Sequence, residues 1–433
     1  MDVNKKQKFL TGPAKLMIYL RIILHVIFHY AVKMFKGNLG PVQYVRFLFR
    51  AYHLLLKMRF GKIVKLNGLY HIHLYVPAYP TKAFFHLLDK LYRSEPGPGT
   101  VVFSMTKACR YRCPHCYQKN DAGKDLDIEL MTDVAKEMQE MGVAFFDIEG
   151  GEPFLHPERL MALVEGLDDR AEIWVNSTGD RASAEEIRKL KEAGLNGFMI
   201  SIHSPDPERH DNFTGIDGSF DSAVKILEMG REEGLFTAIN CCPNQEAILN
   251  GDLERLFELA ERCGCSYVQV IHEKAAGGWL SRAGEVSQGQ PAIEKLHELH
   301  HRYNSGRYRN YPSVSAQVFE EQACMFGCTA GGIDRFYIGA DGEVQPCEFL
   351  NVSFGNVNDE SFNTIFKRMR SHFPTPGTNW LCCTEAESIR KAIEENNLER
   401  TPVPWEMTKI LVTGWDKGEE TPLYKKIGLY RKS

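Results

Sequence analysis

Acidic residues are nearly missing from the first seventy positions. Asp2 stands alone there against thirteen Lys and Arg, a balance of +12 in a chain whose total is −4, so the rest of the chain is strongly acidic. Internal repeats and low-complexity segments are also missing. No apolar run reaches the ~20 mostly uncharged residues that a spanning helix needs: Arg21 interrupts the first run near its start and Lys33 near its end. No small-residue cleavage site follows, so no removable signal peptide is expected. The basic stretches carry few aromatics for base stacking, which argues against nucleic acid as a partner. A disulfide framework is excluded on different grounds. Twelve cysteines in 433 residues suit metal clusters and buried thiols in a reducing, oxygen-poor cytoplasm better than a small secreted scaffold.

What is present is an ordinary globular composition, 43% hydrophobic and 25% charged, long enough for two or three domains. In the basic region Arg21, His25, His29 and Lys33 recur every four residues within the apolar run Leu16–Lys36. On a helix they make one stripe. Arg46, Arg50, His53 and Lys57 repeat the device in Val42–Met58. Two helices lying on an anionic membrane surface, peripheral at its cytoplasmic face, are the expectation; packing on the rest of the protein with the stripe in water is the alternative. A hairpin over Ile63–Val76, a helix over Lys82–Tyr92 and a linker, Glu95–Gly99, follow.

The most informative segment is Cys109-Arg-Tyr-Arg-Cys113-Pro-His-Cys116-Tyr117. Three thiolates in eight residues suit a cubane that normally takes four cysteines, leaving one iron open. Zinc with His115 as fourth ligand, or an electron-carrying cluster, are the other chemistries compatible with the triplet. It follows a short apolar strand, Thr100–Thr106. A helix and a second strand, Val143–Ile148, lead to Glu149-Gly150-Gly151-Glu152-Pro153. Glycines permit close backbone approach to a ligand and a carboxylate accepts from an ammonium. Strands near Ile173–Asn176, Gly197–Ile202, Phe236–Asn240 and Tyr267–Ile271 alternate with helices, which predicts an α/β fold with a parallel sheet.

This order of motifs resembles the radical S-adenosylmethionine (radical SAM) family. The resemblance implies a partial (βα)6 barrel over residues 99–305, with the chemistry at the carboxyl ends of the strands. It implies that Cys109, Cys113 and Cys116 hold a [4Fe–4S] cluster whose open iron chelates S-adenosylmethionine. Reductive cleavage would then give a 5′-deoxyadenosyl radical that abstracts hydrogen from a substrate. Gly150, Gly151 and Glu152 would hold the methionine end and Tyr117 would lie against the adenine. Asn176, Ser177, Ser201 and His203 would meet the ribose and carboxylate. An Arg common in the family is Thr214 here, which leaves Arg209 to contact the carboxylate.

Beyond the barrel, Cys324-Met-Phe-Gly-Cys328 and a hairpin ending at Cys347, with Cys382-Cys383 further on, resemble the auxiliary-cluster extension called SPASM or, shortened, twitch. This implies one second [4Fe–4S] cluster in residues 306–433, held by Cys328 and Cys347 with Cys324 and one of Cys382 or Cys383. Cys241, Cys242, Cys263 and Cys265 read as buried small hydrophobes. An electron donor such as flavodoxin or ferredoxin is expected. The basic helices of region 1–98 point to a lipid or other membrane-held substrate. A SPASM-type peptide or protein maturase is the alternative, and a non-catalytic iron–sulfur carrier the third.

Overall fold

The computed structural model describes residues 7–93, 97–121, 123–285 and 289–430. The first two residues of the Glu95–Gly99 linker lie outside them. At the amino end come β1 (Lys8–Leu10), α1 (Gly12–Phe35), α2 (Pro41–Met58), β2 (Ile63–Leu66), β3 (Leu69–His71) and α3 (Lys82–Asp89). Strands β1, β2 and β3 form a small antiparallel sheet. The hairpin's second arm stops at His71, short of the expected Val76.

The barrel strands are β4 (Thr100–Ser104), β5 (Phe145–Glu149), β6 (Glu172–Ser177), β7 (Gly197–Ser201), β8 (Phe236–Cys241) and β9 (Tyr267–Val270). Their intervening helices fall within a few residues of the sequence-based bounds. The sheet does not end there. β10 (Ser313–Ala316) extends it parallel to β9, and β11 (Arg335–Ile338) runs parallel to β4 with β12 (Val344–Gln345) antiparallel beyond. The order is β10-β9-β8-β7-β6-β5-β4-β11-β12. A boundary at residue 305 therefore cuts the sheet: β10 and the first arm of the auxiliary hairpin are barrel strands.

Side chains alternate across the sheet as the two-residue period requires. Val101, Phe103, Phe146, Ile148, Ile173, Val175, Phe198, Ile200, Ile239 and Val268 pack outward under the helices. Inside, Phe145, Trp174, Met199, Phe236 and Tyr267 fill the amino end, where Val64, Leu66, Leu74 and Ala78 of the amino-terminal region close the floor. Glu172 ties this floor together, accepting from Trp174 Nε1 (2.8 Å) and Ala78 N (2.6 Å) with His71 Nε2 at 2.5 Å.

The stripe on α1 turns the other way from the expectation. His25 meets the Tyr79 hydroxyl at 2.8 Å, His29 stacks on Phe85 at 4.2 Å, and Lys33 pairs with Asp89 at 2.8 Å. On α2, Arg50 is buried and donates to the carbonyls of Leu91, Ile427 and Gly428. These four basic side chains find a carboxylate, rings and carbonyls within the protein, while Arg46 stays exposed and Leu16, Met17, Leu20, Leu24 and Phe28 of α1 and Val42, Val45 and Phe49 of α2 are left outside. By length and composition α1 could cross a membrane, yet Tyr19, Ile22, Val26 and Tyr30 are buried against the protein.

Candidate active site and auxiliary cluster site

The cysteine loop leaves the carboxyl end of β4 and is held from two sides. On one side the Gly-Gly segment continues β5 beside it: Gly151 N donates to Thr106 O (2.7 Å) and Glu152 N to Ala108 O (2.8 Å). A Cβ at Gly150 would sit 2.6 Å from Thr106 O, and one at Gly151 2.3 Å from Ala108 O. The close approach these glycines allow is thus to the chain entering the cysteine loop. On the other side Gly277, at φ +51°, lies so near that a Cβ would be 2.3 Å from Tyr117 Cα, and Gly278 N donates to Cys116 O. Asn351 ties the loop to this second wall, its Nδ2 donating to Tyr117 O and its Oδ1 accepting from Gly277 N.

Burial pushes the Cys113 thiol up to about 12 and Cys116 to about 11, and raises Cys109. Left to themselves these sulfurs stay protonated, and binding a metal cluster would expel the protons.

The sequence-based partners divide in the structure. Glu152 is buried and its carboxylate is already occupied. It accepts from Phe154 N (3.1 Å) and Ser177 Oγ (2.7 Å) on one oxygen, and from Thr178 N (2.8 Å) and Oγ1 (2.6 Å) on the other. A carboxylate offers about four lone-pair positions, so Glu152 fastens the Gly-Gly turn to the end of β6 and has none left for an ammonium. Ser177 is used in the same network. Arg209 is a clear correction. It forks onto Asp252 (2.7 and 3.2 Å) at the start of the helix Asp252–Cys263 and is half exposed, because a buried carboxylate captures the nearest guanidinium.

Asn176 and Ser201 stand at the inward-facing positions of their strand ends, and Asn176 Oδ1 is buried without a partner. His203 lies in a ring cluster with His115 (4.6 Å), His210 (6.0 Å) and Phe213 (4.8 Å). Burial holds all three imidazoles neutral, His115 and His210 near 4. Glu149, which precedes the glycines, was missed. It accepts from Tyr117 Oη and approaches Asn176 Nδ2 (3.4 Å). Burial, with Glu348 nearby, holds its carboxyl well above the usual range. The available signal was its inward parity at the end of β5, two residues on from Asp147, itself raised by burial to about 7. With Tyr117 engaged by Glu149, three thiols and an unpartnered amide oxygen line one strand-end depression. That donor set fits a thiolate-bound cubane carrying a polar, ammonium-bearing ligand.

The second thiol cluster lies in the carboxyl-terminal part. Cys347 and Cys382 are buried and feel each other's charge. The Cys382–Cys383 hydrogen bond, supported by His272 at 3.7 Å and by Lys274, holds the Cys383 thiol well below its ordinary range. Lys274 is buried. Burial works against its charge, but Cys382, Cys383 and Glu321 outweigh it and keep the ammonium. Cys328 accepts from the Ala330 and Leu381 amides, which brings it to the same helix start. A buried cation beside soft donors fits an anionic thiolate cluster. Cys324 is exposed, with its carbonyl bound by Lys57 of α2, and the thiols linked by the contacts above are Cys328, Cys347, Cys382 and Cys383. Among the described residues no three His, Cys, Asp or Glu converge as a single metal ion requires; a cubane spreads its thiolates more widely. Cys241, Cys263 and Cys265 are buried on the helix side of the sheet, as expected.

A family profile for the Radical SAM superfamily matches residues 103–244, and one for the SPASM iron–sulfur cluster-binding domain matches residues 328–392. The AdoMet-dependent heme synthase of Methanosarcina barkeri is 23% identical over 70% of this chain and 95% of its own. The PqqA peptide cyclase of Rhizobium meliloti is 22% identical over 66% and 77%. Among solved structures, Streptococcus suis SuiB bound to the precursor peptide SuiA shares the fold at TM-score 0.53 and 14% identity, over 74% of this chain and 78% of that one. The first domain binds a [4Fe–4S] cluster and S-adenosylmethionine, and the second binds auxiliary iron–sulfur. The chain is a radical SAM enzyme with a carboxyl-terminal SPASM domain.

Proposed function

We propose that the enzyme modifies a C–H bond of a peptide or protein. The observation carrying this reading is the lining of the barrel above its aromatic floor. Asp147 Oδ1 and Asn240 Oδ1 are buried acceptors without partners. A cavity with surplus acceptors suits a substrate rich in N–H donors, as peptide backbones and amine side chains are. Relatives named for peptide cyclisation support the same class. The lipid substrate expected from the basic stripe loses its main argument, since that stripe is engaged within the protein.

In this reading Cys109, Cys113 and Cys116 hold the catalytic cluster, and Asn176, Ser201 and His203 line the place for the bound S-adenosylmethionine. Glu152 positions the turn rather than touching the ligand. Cluster and S-adenosylmethionine together supply a hydrogen-abstracting radical, with the electron delivered by a flavodoxin or ferredoxin. The protein orients the target and keeps water out: Gly277–Arg282 and Asn351 close over the cysteine loop. Cys328, Cys347, Cys382 and Cys383 hold the auxiliary cluster, beside Lys274.

The test is anaerobic turnover with S-adenosylmethionine, dithionite and synthetic peptides translated from short reading frames beside the gene, followed by mass spectrometry. Peptide-dependent 5′-deoxyadenosine release with loss of hydrogen from the peptide is the expected result. Release stimulated by an iron porphyrin and by no peptide would move the substrate to the tetrapyrrole class of the heme synthases.

A further inference from the structure

A cavity of about 410 Å³ lies where α1, α2 and α3 meet the open side of the barrel. Its outer wall is hydrocarbon: Ile23 and Ile27 of α1, Leu48, Ala51 and Leu55 of α2, and Leu87 of α3. Its inner end is polar and incompletely satisfied. Gln269 Oε1, Gln317 Oε1 and Arg335 Nε are buried there without hydrogen-bond partners, although Gln269 and Gln317 are only 5% and 6% exposed. The cations at this end already have carboxylate partners: Lys90 pairs with Asp334 and Arg335 with Glu321 and Glu348, while His73 lies 3.4 Å from Glu320.

We infer that this wedge binds a single-chain amphiphile with a small uncharged head group. Two amide oxygens need donors and one guanidinium N–H needs an acceptor, a combination that a hydroxyl or amide head supplies. Among the described residues no cation at this end is left unpaired for an anionic head, whose desolvation would go unrepaid. Volume and apolar wall with a few convergent polar groups match ordinary ligand sites. The entrance lies on the exposed apolar surface: Ile27 and Tyr52 line the cavity and are 38% and 56% exposed, next to Leu24, Phe28 and Phe49. An apolar chain would enter from that face. The site is distinct from the cysteine loop. Thr100 and Arg335, which line it, begin β4 and β11, whereas the loop leaves the far end of β4. The inference stands independently of which substrate reaches the cluster.

The experiment is calorimetric titration of the full-length, cluster-loaded protein with 1-lauroylglycerol below its aggregation concentration, beside laurate and dodecanol. Saturable one-to-one binding is expected for the glycerol ester and for dodecanol, with laurate at least about tenfold weaker. Ala51→Trp should fill the wedge and abolish binding. Gln317→Leu, close in volume, should weaken the ester about tenfold. Both variants should keep S-adenosylmethionine cleavage. If Ala51→Trp misfolds by circular dichroism, Gln317→Leu alone decides. Absent binding, laurate binding as tightly as the ester, or affinity unmoved by Gln317→Leu overturns the inference.

Discussion

Glu152 bonds to four donors inside the protein, and its replacement should register first as lost structure. In Glu152→Gln the amide NH2 must face the N–H of either Phe154 or Thr178, at a cost of about 1–3 kcal/mol. The expected result is a lower melting temperature with reduced iron incorporation, read by thermal denaturation and iron assay; unchanged stability with weaker S-adenosylmethionine binding would instead return Glu152 to direct contact. Asp147 gives a pH signature. Burial lifts its carboxyl from the usual carboxylate range to about 7, so between about pH 4 and 7 the folded state holds a proton that the unfolded state has lost. Stability therefore falls as pH rises through that window. Asp147→Asn removes this term. The variant should gain melting temperature over the parent at pH 8 and gain little at pH 5; a pH-independent difference would refute the shift. At this scale the sequence was legible for types and spacing. The cysteine triplet could be read because its chemistry is local. Glu149 was legible only in part: strand parity gives its inward aim, whereas its Tyr117 partner depends on a loop folding back over it.

Among elements, the segment Gly277–Arg282 and the pair α1–α2 carry the consequences. Gly277 combines a left-handed φ of +51° with a backbone neighbour that leaves no room for a Cβ. Gly277→Ala should push the segment off the cysteine loop at a cost of at least about 2 kcal/mol. Lost cluster absorbance near the loop's iron and a lower melting temperature are the readouts; a fully loaded, equally stable variant would show that the loop does not need this wall. For α1 and α2 the observed orientation changes what a lipid-binding test should show. A greasy face outward and a basic stripe inward predict flotation with neutral phosphatidylcholine vesicles almost as well as with anionic ones, and little loss at high salt. Strong dependence on anionic lipid would restore the original electrostatic reading. Periodicity revealed both helices but not which side turns inward, because Tyr79, Phe85 and Asp89 that receive the stripe lie fifty residues on. β10 escaped notice because Ser313-Val-Ser-Ala316 is short and small; it becomes a strand only by pairing with β9.

For the molecule as a whole, two separated thiol sets predict about eight irons per chain. Cys113→Ala and Cys347→Ala should each remove about four, while Cys324→Ala should remove none. Four irons in the parent would eliminate the auxiliary site, and loss caused by Cys324→Ala would restore it as a ligand. The overall architecture was readable from strand–helix alternation, yet its division into parts was not, because β11 belongs in sequence to one domain and in space to another.

That shared strand bears on how the two halves can be inherited or recombined. β11 pairs along its length with β4, Lys107 beside the cysteine loop binds Asp341 of the hairpin at 2.9 Å, and Asn351 ties the loop to its Gly277 wall. A chain stopped at residue 305 would expose β4 and β9 as raw sheet edges inviting aggregation. The auxiliary domain is therefore no detachable cassette. Exchanging it for that of a relative would mean transplanting a stave of the barrel, and chimeras should succeed only when the junction is drawn beyond β12.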